Sequence, residues 1–346
     1  MGEPTALPVR PAREVEGGPA GRRALLPAGA LLVLSALLAG CAPEGPDPLE
    51  GLDAAFTFGV MGDVPYSARS EARFPELVAS LEARAPAFVI HVGDVKGGSA
   101  ACSDSLLAQR RDALAEVDLP MVYLPGDNEW TDCHRAPPGA HDPLERLDAL
   151  RALFYPTGGS ATVGGRAMAV EQQADDPAWR EFLEHQRWRR EGVVFATLHV
   201  VGSRNGLAPF DGRTEAHDAE VRRRTDAALA WMRETFEQAV ELDAPAVVLA
   251  IHGNPWEAPW GAGRTGFEEL LEALAAEARA WRRPVLLVHG DTHTFRVDRP
   301  LDGPDGEPVE NVTRLETYGE PDVGWVEVAV EPGGDPVFTV AGREIP

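Results

Sequence analysis

The stretch Met121-Val-Tyr-Leu-Pro-Gly-Asp-Asn-Glu-Trp-Thr-Asp-Cys-His134 decides how this chain is read. Four apolar or β-favouring residues run into Pro125-Gly126, and Asp127, Asn128, Glu129, Asp132, Cys133 and His134 follow in one loop. It reads as a buried strand that stops and tips oxygen and nitrogen ligands beyond its carboxyl end. The same design recurs along the chain. The run 55–61 leads into Gly62-Asp63, and 87–92 into Gly93-Asp94. The run 246–251 leads into His252, and 284–288 into His289-Gly290-Asp291-Thr292-His293. Helical spacing separates these runs over 70–84, 103–117, 142–154, 214–242 and 267–281. Continuous apolar runs alternating with amphipathic helices predict a largely parallel α/β arrangement, its strands covered on both faces. Only 323–330 alternates, as a half-exposed antiparallel strand would.

Residues 155–191 break this rhythm. Gly158, Gly159, Gly164 and Gly165 mark loops, and 176–190 reads as a polar helix carrying Trp179, Phe182 and Trp188. The segment is an insertion, either a lid over the site or a surface elaboration. After it, 192–201 reads as a strand ending in Gly202-Ser203-Arg204-Asn205-Gly206.

The amino terminus reads as a targeting segment. Arg10, Arg13, Arg22 and Arg23 precede an apolar run, 24–38, that closes in Leu38-Ala39-Gly40-Cys41. A basic start, a short apolar core and small residues before the cut describe a secretory signal over 1–40. The run is short for an uncleaved spanning anchor, which needs about 20 residues. Cysteine directly after Leu-Ala-Gly resembles a bacterial lipoprotein box, which implies lipidation of Cys41. The expectation is an exported protein, lipid-anchored in the cell envelope, with a tether over 41–53 and one domain over 54–346. In such a compartment Cys102 and Cys133 either pair, tying two acidic loops together, or remain buried thiols. The 55 acidic against 32 basic residues, a net charge of −23, disfavour nucleic-acid binding.

Ligands of open α/β sheets bind beyond the carboxyl ends of the strands. If these strands are parallel, Asp63, Asp94, Asp127, His252, Asp291 and His293 converge there. Gathered carboxylates repel one another unless their pKa values rise or a cation sits among them. A divalent metal, or two sharing a carboxylate, resolves the conflict, and Asp and His are suitable ligands.

With these strand ends in this order, residues 55–330 resemble the calcineurin-like metallophosphoesterase superfamily. That family reads Asp-x-His, Gly-Asp, Gly-Asn-His-Glu, a lone His and Gly-His-x-His after successive strands. The resemblance implies a two-sheet sandwich flanked by helices (α/β/β/α), two divalent metals, and hydrolysis of a phosphoester by a metal-bound hydroxide. It makes Asp63 and His293 ligands of one metal, Asp94 the bridging carboxylate, and His252 a ligand of the second metal. A catalytically inactive metal- or ligand-binding relative is the alternative.

Three motifs depart from the family pattern. Pro65 stands for the first histidine, with Tyr66 next as a possible substitute ligand. Asp127 stands for the amide ligand and Asn128 for the histidine that protonates the leaving group. Asp291 stands for the first histidine of the last motif. Oxygen replaces nitrogen, which favours Mn²⁺ or Mg²⁺, with Fe, Zn²⁺ or Ca²⁺ still open. Asparagine cannot act as a general acid, so His134 or His289 becomes the candidate. Lys96, the sole lysine, and Asn205 are candidates to meet the phosphoester, with Arg204 a weaker one. Trp130, Trp256 and Trp260 either line the pocket or pack.

Overall fold

The apolar runs form strands, and their registers level the loops that follow. In the computed structural model, residues 47–156, 161–257 and 265–346 are described, all within the compact unit Pro46–Pro346. The first sheet holds β1 (Phe56–Met61), β2 (Val89–His91) and β3 (Met121–Tyr123) in parallel. The second holds β6 (Val193–Thr197), β7 (Val247–Ala250), β8 (Val285–His289) and β10 (Val312–Glu316) in parallel. Antiparallel strands complete both: β11 (Gly324–Val330) and β12 (Phe338–Glu344) beside β1, β4 (Glu171–Gln172) and β5 (Gln186–Arg190) beside β6, and β9 (Arg296–Asp298) beside β10.

Side chains alternate across each strand and so build three apolar layers. Phe58, Val60, Ile90, Val248, Val288 and Val326 fill the space between the sheets. There Phe58 stacks on Phe88 at 5.4 Å, with Phe195 edge-on to both. The other face of the first sheet (Met61, Val89, Met121, Trp325) packs on α1 (Ala68–Arg84), α2 (Asp104–Ala115) and α3 (Pro143–Phe154). The other face of the second (Val194, Leu249, Leu287) packs on two long helices, Glu215–Glu241 and Glu268–Trp281. The result is the expected α/β/β/α sandwich. Ser67, Ser103 and Asp142 cap α1, α2 and α3 with side-chain oxygens, which fixes where each acidic loop gives way to its helix.

Two expectations are corrected. Residues 176–190 are not a helix; turns lead into β5, and β4 and β5 extend the second sheet at its edge. Trp188 packs into the intersheet core against Phe195 at 5.3 Å, and Gln186 and Trp188 are buried where Arg187 and Arg189 between and after them are more exposed, so the period is two. Glu191 and Gly192, at φ 47° and 83°, form the tight turn that joins β5 to β6. No described residue of 161–191 lines the cleft at the strand ends. Second, β11 is antiparallel but not half-exposed, because it lies between β1 and β12 and every residue is buried. Its one charged side chain, Glu327, is held by Arg84 and Arg343 at 2.8 and 2.7 Å.

Cys102 and Cys133 form a disulfide across 31 residues, joining the loop after β2 to the short turn Thr131–His134 after β3. Among the described residues no helix is long and apolar enough to cross a membrane. Cys41, with the rest of 1–46, and Trp260 lie outside the described residues.

Candidate metal centre

The register of each sheet brings the acidic loops to one end of the sandwich. Met61, His91 and Tyr123 are level across β1, β2 and β3, and Asp63, Asp94 and Asp127 follow them by two, three and four residues. Ala250 and Val288 are level across β7 and β8, ahead of His252 and Asp291. The two sheets are then laced together at this end. His252 Nδ1 donates to Val92 O at 2.6 Å, and Asp291 N donates to Asp63 Oδ2 at 3.2 Å.

The side chains form two adjoining groups, Asp63–Asp94–His252 and Asp127–His252–Asp291, whose donor atoms lie within 4.8 Å of one another. His252 Nε2 is 3.5 Å from Asp94 Oδ1, 3.5 Å from Asp127 Oδ1 and 3.8 Å from Asp291 Oδ1. His293 Nε2 adds to the first group at 3.3 Å from Asp63 Oδ1. A backbone carbonyl only accepts, so the bond to Val92 O places the proton of His252 on Nδ1. The bond from His293 Nδ1 to Glu320 O (2.7 Å) does the same for His293. Both Nε2 lone pairs therefore face carboxylates, the arrangement of metal-ligating histidines.

The residues present fit divalent cations. His252 Nε2 and Asp63 Oδ1 are buried without a hydrogen-bond partner. The backbone is shaped around the donors: Asp63, Asp94, Asp291 and His293 adopt φ of 54°, 57°, 78° and 59°. Such left-handed residues cost on the order of 1–3 kcal/mol each, and they gather where function holds them. Glycines give the carboxylates room. A Cβ on Gly126 would stand 2.1 Å from Asp94 Oδ1, and one on Gly202 would stand 2.6 Å from both Asp127 Oδ2 and Asp291 Oδ1. A histidine nitrogen has one lone pair, so His252 serves one ion only, and a link between two ions falls to a carboxylate.

Electrostatics in the cation-free protein tell the same story. Burial, then Asp127 and Glu129, push Asp94 well above the carboxylate range. Burial and Asp127 push Asp291 up to about 7. Burial would lower both histidines, but the carboxylates outweigh it: His252 is raised well above the usual imidazole value and His293 to about 9. Each of these groups binds protons more tightly folded than unfolded. The cluster's contribution to the stability of the metal-free protein should therefore be lost as the pH rises through about 7 and on to about 9. Thermal unfolding with and without Mn²⁺ checks this. The metal-free Tm should drop across that window, and the gain on adding Mn²⁺ should grow. A flat metal-free profile would count against the cluster.

Several candidates from the sequence are placed elsewhere. Lys96 is buried, its Nζ donating to the carbonyls of Gly97 and Ala100 at 3.3 and 3.2 Å rather than facing the cleft. Asn205 is buried too, spending its side chain on Val201 N, Arg224 and Gly266 O. His289 is fully buried on the helix side of β8, and burial holds it neutral with a pKa near 3. His134 stacks on Phe210 at 4.3 Å and lines a smaller pocket behind Asp132 and Ser203, which border both it and the cleft. Asn128 is in the cleft, its amide donating to Asp94 Oδ2 and to Tyr66 Oη (3.2 Å). Tyr66 lies edge-on to His293 at 4.8 Å, and burial and Asp94 keep its phenol protonated, with a pKa of about 12. Trp130 packs against His199, and Trp256 against the core around the Glu268–Trp281 helix.

The cleft above the cluster has a volume of about 430 Å³ and is lined by Arg204, a candidate from the sequence, and by Asp132, Arg135 and Ser203, to which the sequence assigned no role. Asp132 and Arg135 come from the turn beyond Asp127. Ser203 and Arg204 come from α4 (Gly202–Asn205), left-handed at φ 51° and 62°. The Asp-x-x-Arg spacing on a tight turn was the available signal for the first pair. Nothing in Ser-Arg-Asn announces a left-handed turn. Arg224, buried under it, holds it by bonding His199 O, Asn205 O and Asn205 Oδ1. Glu129, also buried, staples two ligand loops by accepting from Val95 N (2.6 Å) and Gly126 N (3.1 Å).

No family model and no curated protein sequence matches this chain. Solved structures do. A dimetal phosphatase from Danio rerio superposes with a TM-score of 0.51 at 12% identity, covering 84% of this chain and 97% of its own. Vps29 from Chaetomium thermophilum, at 9% identity over 84% and 96% of the two chains, reaches a TM-score of 0.28, too low to carry an argument. The first likeness shows the fold: the two-sheet α/β sandwich of that dimetal phosphatase.

Proposed function

We propose that this protein is a metal-dependent phosphoester hydrolase. The observation that carries the reading is the pair of adjoining donor groups at the shared end of two sheets, with two imidazole lone pairs aimed among four carboxylates. Asp63, Asp94 and His293 would hold one divalent ion, and Asp127, His252 and Asp291 the second, with Asp94 as the shared carboxylate. Ions bound there supply positive charge for phosphoryl oxygens and acidify water. Val92 O and Glu320 O hold the imidazoles in the ligating tautomer. Asn128 holds Asp94 from both backbone and side chain, and presents no proton for a leaving group.

Four carboxylates make a hard, oxygen-rich set, so Mn²⁺ or Mg²⁺ is favoured over Zn²⁺. With Asn128 in place of an acid, the enzyme should prefer esters whose leaving group departs as a stable anion. Turnover of a nitrophenyl phosphoester by Mn²⁺-loaded protein should exceed that of an alkyl ester by about 100-fold or more, the size of a missing general acid. Equal rates would show that an acid is present after all. Absence of turnover on both would favour a binding protein on the same fold, a reading that the lost acid also supports. The protein is further proposed to be exported and lipid-anchored through Cys41 and to avoid nucleic acid. The disulfide and the net charge of −23 support this.

A further inference from the structure

We propose that Arg135 is the phosphate anchor of this centre. Its guanidinium, set at the rim by Asp132 and Ser203, takes the non-bridging oxygens of the substrate's phosphoryl group. The inference rests on the phosphoesterase reading and begins from charge. Asp63, Asp94, Asp127 and Asp291 bring four negative charges, enough to cancel two divalent cations. A loaded centre of this composition has no surplus positive charge with which to hold a phosphate. The cation must come from the protein, and among the described residues lining the cleft the basic side chains are Arg135 and Arg204.

Arg135 is built into place. Its Nη1 lies 2.7 Å from Asp132 Oδ2, and its Nη2 donates to Ser203 Oγ at 3.4 Å. The Ser203 hydroxyl in turn donates to Asp132 Oδ1 at 2.7 Å. Asp132 is buried, its side chain 4% exposed, whereas Arg135 is 47% exposed, so the carboxylate fixes the base of the fork and leaves donors open to the cleft. The two supports touch each other beside the metal cluster. Ser203 follows Gly202, whose Cα abuts the carboxylates of Asp127 and Asp291. A Cβ on Gly98 would stand 2.7 Å from Asn128 Oδ1 and 3.4 Å from Arg135 Nη1. The guanidinium therefore sits near Asn128, the residue that takes the place of the family's histidine, in the cleft that Asp94, Asp127 and Asp291 line. The Cys102–Cys133 bridge closes two residues before it and fixes the turn it leaves. An arginine fork suits two phosphoryl oxygens at once, which a lysine does not.

The test is calorimetric binding of inorganic orthophosphate to the Mn²⁺-loaded full chain, with metal content and Tm measured on every sample. Arg135→Gln should weaken orthophosphate binding by about 10- to 100-fold, the loss expected for a charge-assisted pair. Arg135→Lys should fall between, and Ser203→Ala should show a smaller loss in the same direction. Metal stoichiometry should not change. If Arg135 were only the counter-ion of buried Asp132, Arg135→Lys would equal the parent, and Arg135→Gln would lower Tm while leaving phosphate affinity intact; that result overturns the proposal. So does a parent protein that binds no orthophosphate. Hydrolysis is scored separately. Turnover that survives Arg135→Gln with unchanged KM sinks the anchor and leaves the phosphoesterase reading standing, whereas Arg135-dependent phosphate binding without turnover does the reverse.

Discussion

Asp94→Ala is expected to remove phosphoester turnover by at least about 1,000-fold and to reduce bound divalent metal below two per chain, while the domain still folds. Asp94 is buried, left-handed at φ 57°, and within reach of both donor groups through His252 and Asn128. Burial opposes its charge, and so do the carboxylates of Asp127, Glu129 and Asp63. Such a carboxylate is a liability without a cation. Removing it relieves repulsion in the metal-free state, so the variant's metal-free Tm should not fall below that of the parent by more than a few degrees. Its Tm gain with Mn²⁺ should largely disappear. Elemental analysis and thermal unfolding, run beside the assay, separate loss of metal from loss of fold. A variant that keeps two ions and full turnover would remove Asp94 from the centre.

Gly202→Ala should also lower turnover and metal content, by a different route. The substitution changes no charge and replaces no ligand. The added methyl would nevertheless stand 2.6 Å from Asp127 Oδ2 and from Asp291 Oδ1, closer than carbon and oxygen can approach. Either the two carboxylates part or α4 moves away from them. Displacements near 1 Å at a reacting centre cost on the order of 100-fold in rate. Turnover should fall by about that factor or more, with occupancy of the Asp127–His252–Asp291 group lost first. Gly212, where a Cβ meets nothing within 4 Å, is a useful control for handling a glycine substitution in the same region, although its own φ of 92° adds local strain. Unchanged metal content and rate in Gly202→Ala would mean that the second group is not a working ligand set.

The strand ends were legible because continuous apolar runs stop at a carboxylate or histidine beside a glycine, and because parallel register brings those ends level. Asp63, Asp94, Asp127, His252, Asp291 and His293 accordingly lie together. The second-row residues were not legible. Lys96 and Asn205 carry the right chemistry at the right distance along the chain, but each is turned into the protein to satisfy backbone carbonyls and Arg224. Nothing in a linear pattern distinguishes a lysine that meets substrate from one that ties a loop. Asp132, Arg135 and Ser203 were missed for the converse reason. Their role depends on a tight turn and a left-handed turn that bring residues 71 positions apart to 2.7 Å. The helix expected over 176–190 failed because tryptophan and arginine at alternate positions fit a strand as well as a helix, and the Glu191-Gly192 turn that decides between them was passed over.

The most direct measurement is turnover of bis(nitrophenyl) phosphate and nitrophenyl phosphate by chelator-stripped protein, titrated with Mn²⁺ while bound metal is counted. The account predicts no turnover before addition, and a rise on at least one of the two esters that levels off as the chain fills to two ions. Turnover that persists in the stripped protein, or none on either ester once two ions are bound, would contradict it.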